Sequence, residues 1–201
     1  MYGISGNVNK PGIYEHELGI TVRYAIDELA GGLKGGRIKA VIPGGISMGI
    51  LRADELDLRL DFEDLKQRGG CIGLGTAGLI VMNEHASIVE ALRNVLRFFA
   101  HESCGQCTPC REGSSWVHKI VERICDGGGR AHDLELLLEL EKTIGSIPGT
   151  TICGLADALA WPVRTYINKF YDEFAAVCPE DPLVPLTIGL SDARAMSISR
   201  G

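Results

Sequence analysis

The pattern of apolar and polar residues changes near residue 84. Before it, short apolar runs alternate with turns rich in glycine and proline, whereas after it apolar residues recur at helical spacing. The first part predicts a helix from Thr21, a suitable N-cap, to Ala30, and a strand at Ile38–Ile42 that stops at Pro43. A β-type run follows at residues 79–82. Extended segments around one helix suggest a β-grasp unit.

Four helices are predicted in the second part, from Ser87 towards Cys104, from about Gly113 to Cys125, from roughly Asp133 to Ile144, and from near Cys153 through Phe174. Ser87 followed by Glu90 is a capping-box pattern that marks the start of the first helix. Pro162 lacks an amide hydrogen, so we expect it to kink or restart the last helix. Helices with short joints are typical of a bundle.

The sequence therefore predicts an α+β chain in three parts. A small ubiquitin-like β-grasp domain with a connecting strand takes residues 1–83, a four-helix bundle takes residues 84–176, and an extended tail takes residues 177–201. The tail begins with three prolines in the eight residues from Pro179 to Leu186, which favours an extended backbone.

The composition of the chain argues against two classes of protein, nucleic-acid-binding and membrane-spanning. Apolar residues make up 45% of the chain and charged residues 23%, as in ordinary globular proteins. With 20 basic and 26 acidic residues the net charge is −6, and no basic run exists that would bind nucleic acid. The apolar runs are too short to cross a bilayer, so direct membrane insertion is not expected. The opening residues also lack the apolar segment of a signal peptide.

The glycine-rich segment Gly73–Gly78 formally matches the dinucleotide fingerprint G-x-G-x-x-G. That fingerprint must follow a strand and open a helix, so that the helix N-terminus meets the pyrophosphate. Here the glycines follow a polar turn and precede a β-type run. We interpret them as a connection that leads into a strand.

The candidate chemistry lies in four cysteines. Cys104, Cys107 and Cys110 are spaced three residues apart, and Cys153 lies 43 residues further on. Soft thiolates in a compact group select iron–sulfur clusters, zinc or copper, and C-x2-C-x2-C with one remote cysteine suits the four corners of a [4Fe-4S] cluster. Structural zinc usually takes two separated pairs, which makes it the second interpretation. The triplet is followed by Arg111 rather than by the Cys-Pro of two-cluster ferredoxins, which favours a single cluster.

The remaining cysteines and the nearby histidines are given simpler interpretations. Cys125 ends an apolar helical stripe and is expected to be a small buried hydrophobe. Cys71 and Cys178 lie in loop-like contexts and are assigned no role. His101 and His118 flank the triplet, and we interpret both as core or surface histidines rather than ligands.

The motifs resemble a known family. SCGQCTPCREG at residues 103–113 and TICGLADALAWPV at residues 151–163 closely resemble the NADH-binding flavoprotein subunit of respiratory complex I and its relatives in NAD-linked hydrogenase and formate dehydrogenase. The opening SGNVNKPGIYE, AGGLKGG and AVIPGG are similar to that family's soluble-ligand-binding β-grasp (SLBB) domain, and GLGTAGLIVMNE to the segment after it. The resemblance covers about residues 4–175.

The resemblance implies a function. By position, Cys104, Cys107, Cys110 and Cys153 correspond to the ligands of the family's [4Fe-4S] cluster, which accepts single electrons after FMN has oxidised NADH. The family's FMN- and NADH-binding domain has no counterpart in this sequence, so the chain resembles the C-terminal part of such a subunit and is expected to be inactive with NADH by itself.

The resemblance also implies an assembly. The expected partners are other subunits of complex I or of a related oxidoreductase, among them the flavin domain and a 2Fe-2S thioredoxin-like subunit. The expected location is the cytoplasm, or the cytoplasmic or matrix face of the inner membrane as a peripheral subunit. A diaphorase part of a hydrogenase or formate dehydrogenase and a zinc-stabilised scaffold protein are the alternatives.

Three further roles are expected around these features. The backbone amides of Gly105, Gln106 and Thr108 are the expected hydrogen-bond donors to the cluster sulfurs. Arg111 is expected either to stabilise the reduced cluster or to form a structural pair. The β-grasp domain is expected to be a spacer, or a docking face between the flavin domain and the bundle.

Overall fold

In a computed structural model of the chain, residues 1–145 and 149–179 are described. Of the predicted tail, residues 180–201 lie outside this range. Five strands form one mixed sheet: β1 Tyr2–Gly6, β2 Gly12–Tyr14, β3 Ile38–Ile42, β4 Leu51–Arg52 and β5 Gly78–Asn83. Their order is β2-β1-β5-β3-β4, with β1 and β5 parallel at the centre and the other neighbours antiparallel. This is the β-grasp order, and the predicted strand at residues 38–42 is confirmed.

One helical segment packs against the first face of the sheet. A short α-helix, α1 Val22–Tyr24, continues as the π-helix Ala25–Leu29, and Thr21 caps it by accepting a hydrogen bond from Tyr24 N at 3.1 Å. Gly31 and Gly32 follow with positive φ angles of 68° and 82°, a conformation that glycine adopts without strain. The remaining short helices of this part are the 3-10 helix Ala53–Glu55 and α2 Asp64–Gln67.

The helical part consists of α3 Ile88–Glu102, α4 Thr108–Arg123 with a π-turn at Ile124–Gly128, α5 His132–Ile144, α6 Leu155–Lys169 and α7 Tyr171–Ala176. Ser87 caps α3 and accepts a hydrogen bond from Glu90 N, as the capping-box pattern predicts. The predicted start of α4 at Gly113 is wrong, because the helix begins at Thr108. Pro109 fits its first turn, where an amide hydrogen is not needed.

Two other details of the helices differ from the sequence-based expectation. Helix α6 runs through Pro162 without restarting, and the interruption before α7 falls at Phe170, whose φ and ψ are −124° and 34°. Helical spacing places Trp116 on the apolar stripe of α4, but about half of its surface is exposed.

Within residues 1–145 and 149–179, no helix combines the length and apolar character that a membrane span requires.

The two parts of the chain share the sheet. Val41, Leu79 and Val81 belong to the apolar core under α1, whereas Ala40 and Met82, on the same strands, pack into the core of the helical part. Strands β3 and β5 therefore carry apolar residues on both faces, as strands buried on both sides do.

Two ion pairs add to the interface between the parts. Lys169 Nζ lies 2.8 Å from Glu55 Oε2 and donates a hydrogen bond to the Gly69 carbonyl at 2.7 Å. Lys39 Nζ lies 2.7 Å from Glu173 Oε2. The other oxygen of Glu173 accepts a hydrogen bond from Ile88 N, so this carboxylate also ties the start of α3 to α7. Polar contacts thus fix the orientation of the helices against the sheet.

Candidate metal centre

One cavity of about 90 Å³ lies where α3 ends and α4 and α6 begin. All four cysteines of the predicted motif line it. The complete lining is Glu102, Cys104, Gln106, Cys107, Cys110, Thr151, Cys153 and Leu155. The structure thus brings the remote cysteine to the same small volume as the triplet.

The start of α4 places two of the thiols. Cys107 is the N-cap residue and Cys110 lies in the first turn, and residues three apart lie on the same side of a helix. Cys104 precedes them in the loop after α3, where Gly105 turns the chain with a φ of 79°. Cys110 is buried, Cys107 is partly buried and Cys104 is exposed. The triplet therefore spans the site from the protein interior to the surface.

The loop before α6 supplies the fourth thiol. Ile152 N donates a hydrogen bond to Cys107 Sγ at 3.3 Å, which holds this loop against the start of α4. The Thr151 hydroxyl donates to the carbonyl of Cys153 at 3.1 Å and stabilises the turn that carries the cysteine. Cys153 itself is exposed. A backbone contact between the two segments therefore positions the distant cysteine.

Two helix ends and two hydrogen-bond contacts at the cavity favour negative charge, although the Glu102 carboxylate also lines it. Helices α4 and α6 both begin at the cavity, and the N-terminus of a helix carries a partial positive charge. The Ser103 hydroxyl lies 3.4 Å from Cys110 Sγ. Together with Ile152 N, this gives two hydrogen-bond contacts to cavity sulfurs. The helix ends and these two contacts would stabilise an anionic group bound in the cavity.

Sequence reasoning missed both hydrogen-bond contacts. It pointed to the local amides of Gly105, Gln106 and Thr108 as donors to the sulfurs of a bound cluster, which stays a prediction. The contacts to the cysteine sulfurs in the described part of the chain come from Ser103 and Ile152. Ile152 is remote in sequence, so no local pattern could identify it. Ser103 is adjacent to the motif, and a hydroxyl immediately before it was a usable signal.

Arg111 has structural partners. Its Nη1 donates to the Gly105 carbonyl at 3.0 Å and its Nε to Glu112 Oε1 at 2.9 Å. Of the two roles expected from the sequence, the structure shows the structural pair. Arg111 braces the loop between Cys104 and Cys107.

The arrangement of the thiols bears on the kind of group that fits. Among the described residues, no set of three or more His, Cys, Asp or Glu side chains is placed to hold a metal ion. Zinc needs its four ligands around one point, with Zn–S distances of about 2.3 Å. A [4Fe-4S] cluster presents four separate iron corners, so it can take thiolates that line different parts of one cavity, as the four cysteines do here.

The other cysteines do not line this cavity. Burial raises the pKa of each of their thiols, Cys71, Cys125 and Cys178, to about 11. Cys71 and Cys178 are buried and Cys125 is partly buried, so the expectation of a buried hydrophobe holds only in part for Cys125. Such thiols stay protonated near neutral pH and are poor ligands and nucleophiles.

The flanking histidines also lie outside the cavity lining. His101 is exposed and contacts Glu102 at 3.3 Å. His118 is partly buried, and its Nε2 has no hydrogen-bond partner among the described residues. The glycines Gly73–Gly78 lead into β5 rather than into a helix, as the sequence predicts.

Two segments of the chain match known protein-family models. Residues 90–177, which contain all four cavity cysteines, match the model of the NADH-ubiquinone oxidoreductase-F iron-sulfur binding region. Residues 1–51 match the SLBB domain. The first match begins within α3 and ends just after α7, and the second runs from β1 to the start of β4, before the central strand β5.

Individual proteins that resemble this chain are subunits of NADH-quinone or NADH-ubiquinone oxidoreductase. The chain is 42% identical over 175 residues to the F subunit of NADH-quinone oxidoreductase of Rickettsia typhi, covering 86% of this chain and 40% of that protein. It is 45% identical over 179 residues to the mitochondrial 51 kDa subunit of NADH-ubiquinone oxidoreductase of Neurospora crassa, covering 88% of this chain and 35% of that protein.

A solved structure shares the fold. The crystal structure of an NAD+-reducing [NiFe]-hydrogenase in the air-oxidised state matches with a TM-score of 0.78 and 29% identity, over 92% of this chain and 30% of that chain. This chain spans about 40% or less of the length of each of these relatives. Over most of its length the chain is similar to the F, or 51 kDa, subunits of NADH-quinone oxidoreductase, and it contains one region that matches the SLBB domain and one that matches the iron–sulfur binding region of those subunits.

Proposed function

We propose that Cys104, Cys107, Cys110 and Cys153 ligate one [4Fe-4S] cluster that carries single electrons in an NADH:quinone oxidoreductase. The observation that supports this most directly is the cavity itself, which all four motif cysteines line although one is distant in sequence. The family match of residues 90–177 to an iron-sulfur binding region supports the same chemistry.

The residues of this chain have separable roles in that function. When bound, the cluster supplies one-electron transfer with little rearrangement of its ligands. The four thiolates hold it, and the N-termini of α4 and α6 offset its negative charge. The bonds from Ile152 N and the Ser103 hydroxyl act on the sulfurs of Cys107 and Cys110. Exposed Cys104 and Cys153 leave one side of the site open to a redox partner.

The remaining steps belong to partners. A hydride carries two electrons, so a flavin must separate them before a one-electron carrier can accept them. We assign FMN and NADH to a separate domain of the assembly, and a 2Fe-2S thioredoxin-like subunit is a further proposed partner. The isolated chain is then inactive with NADH, and the complex places it as a peripheral subunit at the cytoplasmic or matrix face of the membrane.

The SLBB part is proposed to organise the assembly. Residues 1–83 form the β-grasp domain, and residues 84–176 form the cluster-binding domain. The sheet packs directly on the helices, which supports a role as a spacer or docking face next to the electron carrier.

A second candidate function is the diaphorase part of an NAD-linked hydrogenase or of a formate dehydrogenase. The fold match to the NAD+-reducing hydrogenase favours it. The higher identities of 42% and 45% to the quinone oxidoreductase subunits favour the first candidate over this one.

The decisive experiment measures iron, acid-labile sulfide and zinc in the chain purified without oxygen, followed by EPR of the reduced protein. We expect about four iron and four sulfide per chain, a visible absorbance that dithionite bleaches, and an EPR signal of one reduced cluster. Colourless protein with one zinc per chain, or iron without sulfide, would overturn the proposal.

A further inference from the structure

The two sides of the cavity differ in their access to water. Cys104 and Cys153 are exposed, whereas only 7% of Cys110 is accessible. Water can donate hydrogen bonds to an exposed sulfur but has little access to Cys110. The Ser103 hydroxyl, 3.4 Å from Cys110 Sγ, is therefore the donor that matters for this sulfur.

The direction of this bond follows from the chemistry of the ligand. Either atom could donate in the free thiol. A cysteine that ligates iron is a thiolate and has no proton, so the hydroxyl must be the donor once the cluster is bound. Hydrogen bonds to an ionised acceptor are stronger than neutral ones, and the low local polarity around a buried sulfur strengthens them further.

The hydroxyl is held in place by a rigid element. Ser103 is the C-cap residue of α3, with φ and ψ of −63° and 119°. Helix α3 is anchored in the core by buried Leu96 and Phe99 near this end. The position of the donor is therefore set by helix packing and not by a loose loop.

We infer that Ser103 is a positioning residue that sets the reduction potential of the site through Cys110. This rests on the proposed cluster function. A hydrogen bond to a ligand sulfur stabilises the additional negative charge of the reduced form and so raises the potential. When the bond is removed, the 7% exposure of Cys110 leaves little room for water to replace it, and the potential falls.

The test compares two pairs of full-length proteins that differ by one hydroxyl. Ser103→Ala is compared with the unmodified chain, and Ser103→Val with Ser103→Thr, which has nearly the same shape. The readout is the midpoint potential from an EPR-monitored redox titration. We expect a lower midpoint potential in Ser103→Ala and in Ser103→Val. The midpoint potential should fall by up to about 59 mV, which corresponds to a tenfold change in the equilibrium constant of a one-electron reduction. Ser103→Thr should have a potential close to that of the unmodified chain.

Thr151→Val controls for general polarity. Thr151 lines the same cavity, but its hydroxyl donates to a carbonyl and not to a sulfur. We expect a smaller shift than in Ser103→Ala. If one Ser103 pair does not retain its cluster, the other pair decides.

Two results would contradict the inference, and they are distinct from a failure of the proposed function. Cluster-bearing Ala and Val variants with unchanged potentials would show that the hydroxyl has no effect. An equal shift in Thr151→Val, which loses the hydroxyl that holds the turn of Cys153, would show that the effect is not specific to the bond to Cys110. An unmodified chain without iron and sulfide would instead overturn the proposed function and this inference with it.

Discussion

The sheet part and the helical part are stabilised in different ways. The core under the sheet is closed by the protein alone, with Tyr2, Val22 and Leu79 all buried among apolar neighbours. The helical core ends at a cavity in which four of the eight lining residues are cysteines. The core of the first part is therefore filled by its own side chains, whereas the core of the second ends at a cavity that we propose an inorganic group fills.

The largest expected effect tests whether that end depends on the fourth thiol. Cys153→Ser should lose the cluster or convert it to a form with less iron, because the remote thiolate completes the ligand set. Iron and acid-labile sulfide per chain measure this directly.

Cys125→Ser is the matched control for that substitution. Cys125 also lies in the helical part but does not line the cavity, so its replacement should leave the iron content unchanged. Equal iron in Cys153→Ser and in the unmodified chain would remove Cys153 from the site.

The second effect tests how strongly the two parts depend on each other. Lys169→Met leaves Glu55 and the Gly69 carbonyl without their cation. The side chains of Lys169 and Glu55 are only 16% and 20% exposed. We expect Lys169→Met to lower the free energy of unfolding by about 2 kcal/mol, which lies between the values for breaking a buried and an exposed ion pair. Urea unfolding measures this difference.

An exposed pair within the sheet part provides the control. Arg23 and Asp57 are 50% and 76% exposed, and Arg23→Met should cost less than about 0.5 kcal/mol. A Lys169→Met protein as stable as Arg23→Met would show that the contact between the parts is as weak as a surface pair.

The third effect compares glycines in the two parts. A Cβ at Gly113 would clash with Cγ1 and Cδ1 of Ile144, so the buried Ile144 side chain between α4 and α5 would have to shift to admit it. Gly113→Ala should destabilise by about 1–2 kcal/mol, since overpacking outweighs the gain in helix propensity. Thermal unfolding is the measurement.

Gly3→Ala in β1 is the corresponding control, because nothing lies within 4 Å of a Cβ there. We expect a change within about 0.5 kcal/mol. The double variant Gly113→Ala, Ile144→Ala should be less destabilised than the sum of the single changes, since the clash is gone. Additive effects would mean that Ile144 is not the source of the strain.

The smallest expected effect concerns the pH dependence of the sheet part. A hydrogen bond from Arg59 N at 2.7 Å, with help from Arg68, lowers the pKa of Asp64 below its ordinary value of 3.8. A depressed pKa stabilises the fold above pH 3.8, and this contribution is lost as the pH falls through the lower, folded-state pKa.

Asp64→Asn should therefore be less stable than the unmodified chain at neutral pH, and the difference should close in acid. Urea unfolding from pH 2 to pH 7 measures it. Asp57→Asn, which removes an exposed carboxylate, should show a smaller difference at neutral pH. If the stability difference between Asp64→Asn and the unmodified chain stayed constant with pH, the lowered pKa of Asp64 would not be its cause.

Local signals predicted much of the fold. The apolar run at Ile38–Ile42 and the Ser87–Glu90 capping pattern each identified an element that the structure contains. The spacing of Cys104, Cys107 and Cys110 identified three of the residues that line the cavity, because the spacing of ligands within one segment is a local property. These features depend on a few neighbouring residues, which is why a single sequence is enough. Cys153, 43 residues further on, was singled out by the resemblance of its segment to a known family.

What local patterns miss depends on contacts between distant segments. Helical spacing alone starts α4 too late, because Thr108 and Pro109 resemble a loop, although proline suits a first helical turn. The hydrogen bond from Ile152 to Cys107 arises only when two helix starts meet. The position of β5 at the centre of the sheet follows from pairing with β1, more than 70 residues earlier in the chain; a period-2 pattern predicts a strand but not its neighbours.

The central place of β5 has a consequence for synthesis on the ribosome. Residues 2–6 cannot find their parallel neighbour until residues 78–83 have left the exit tunnel, and such long-range pairing is slow. Until then β1 and β3 expose unpaired edges, which are prone to aggregation. We therefore expect nascent chains that end at residue 51 to need chaperones, and chains that extend past residue 83 to be released from them.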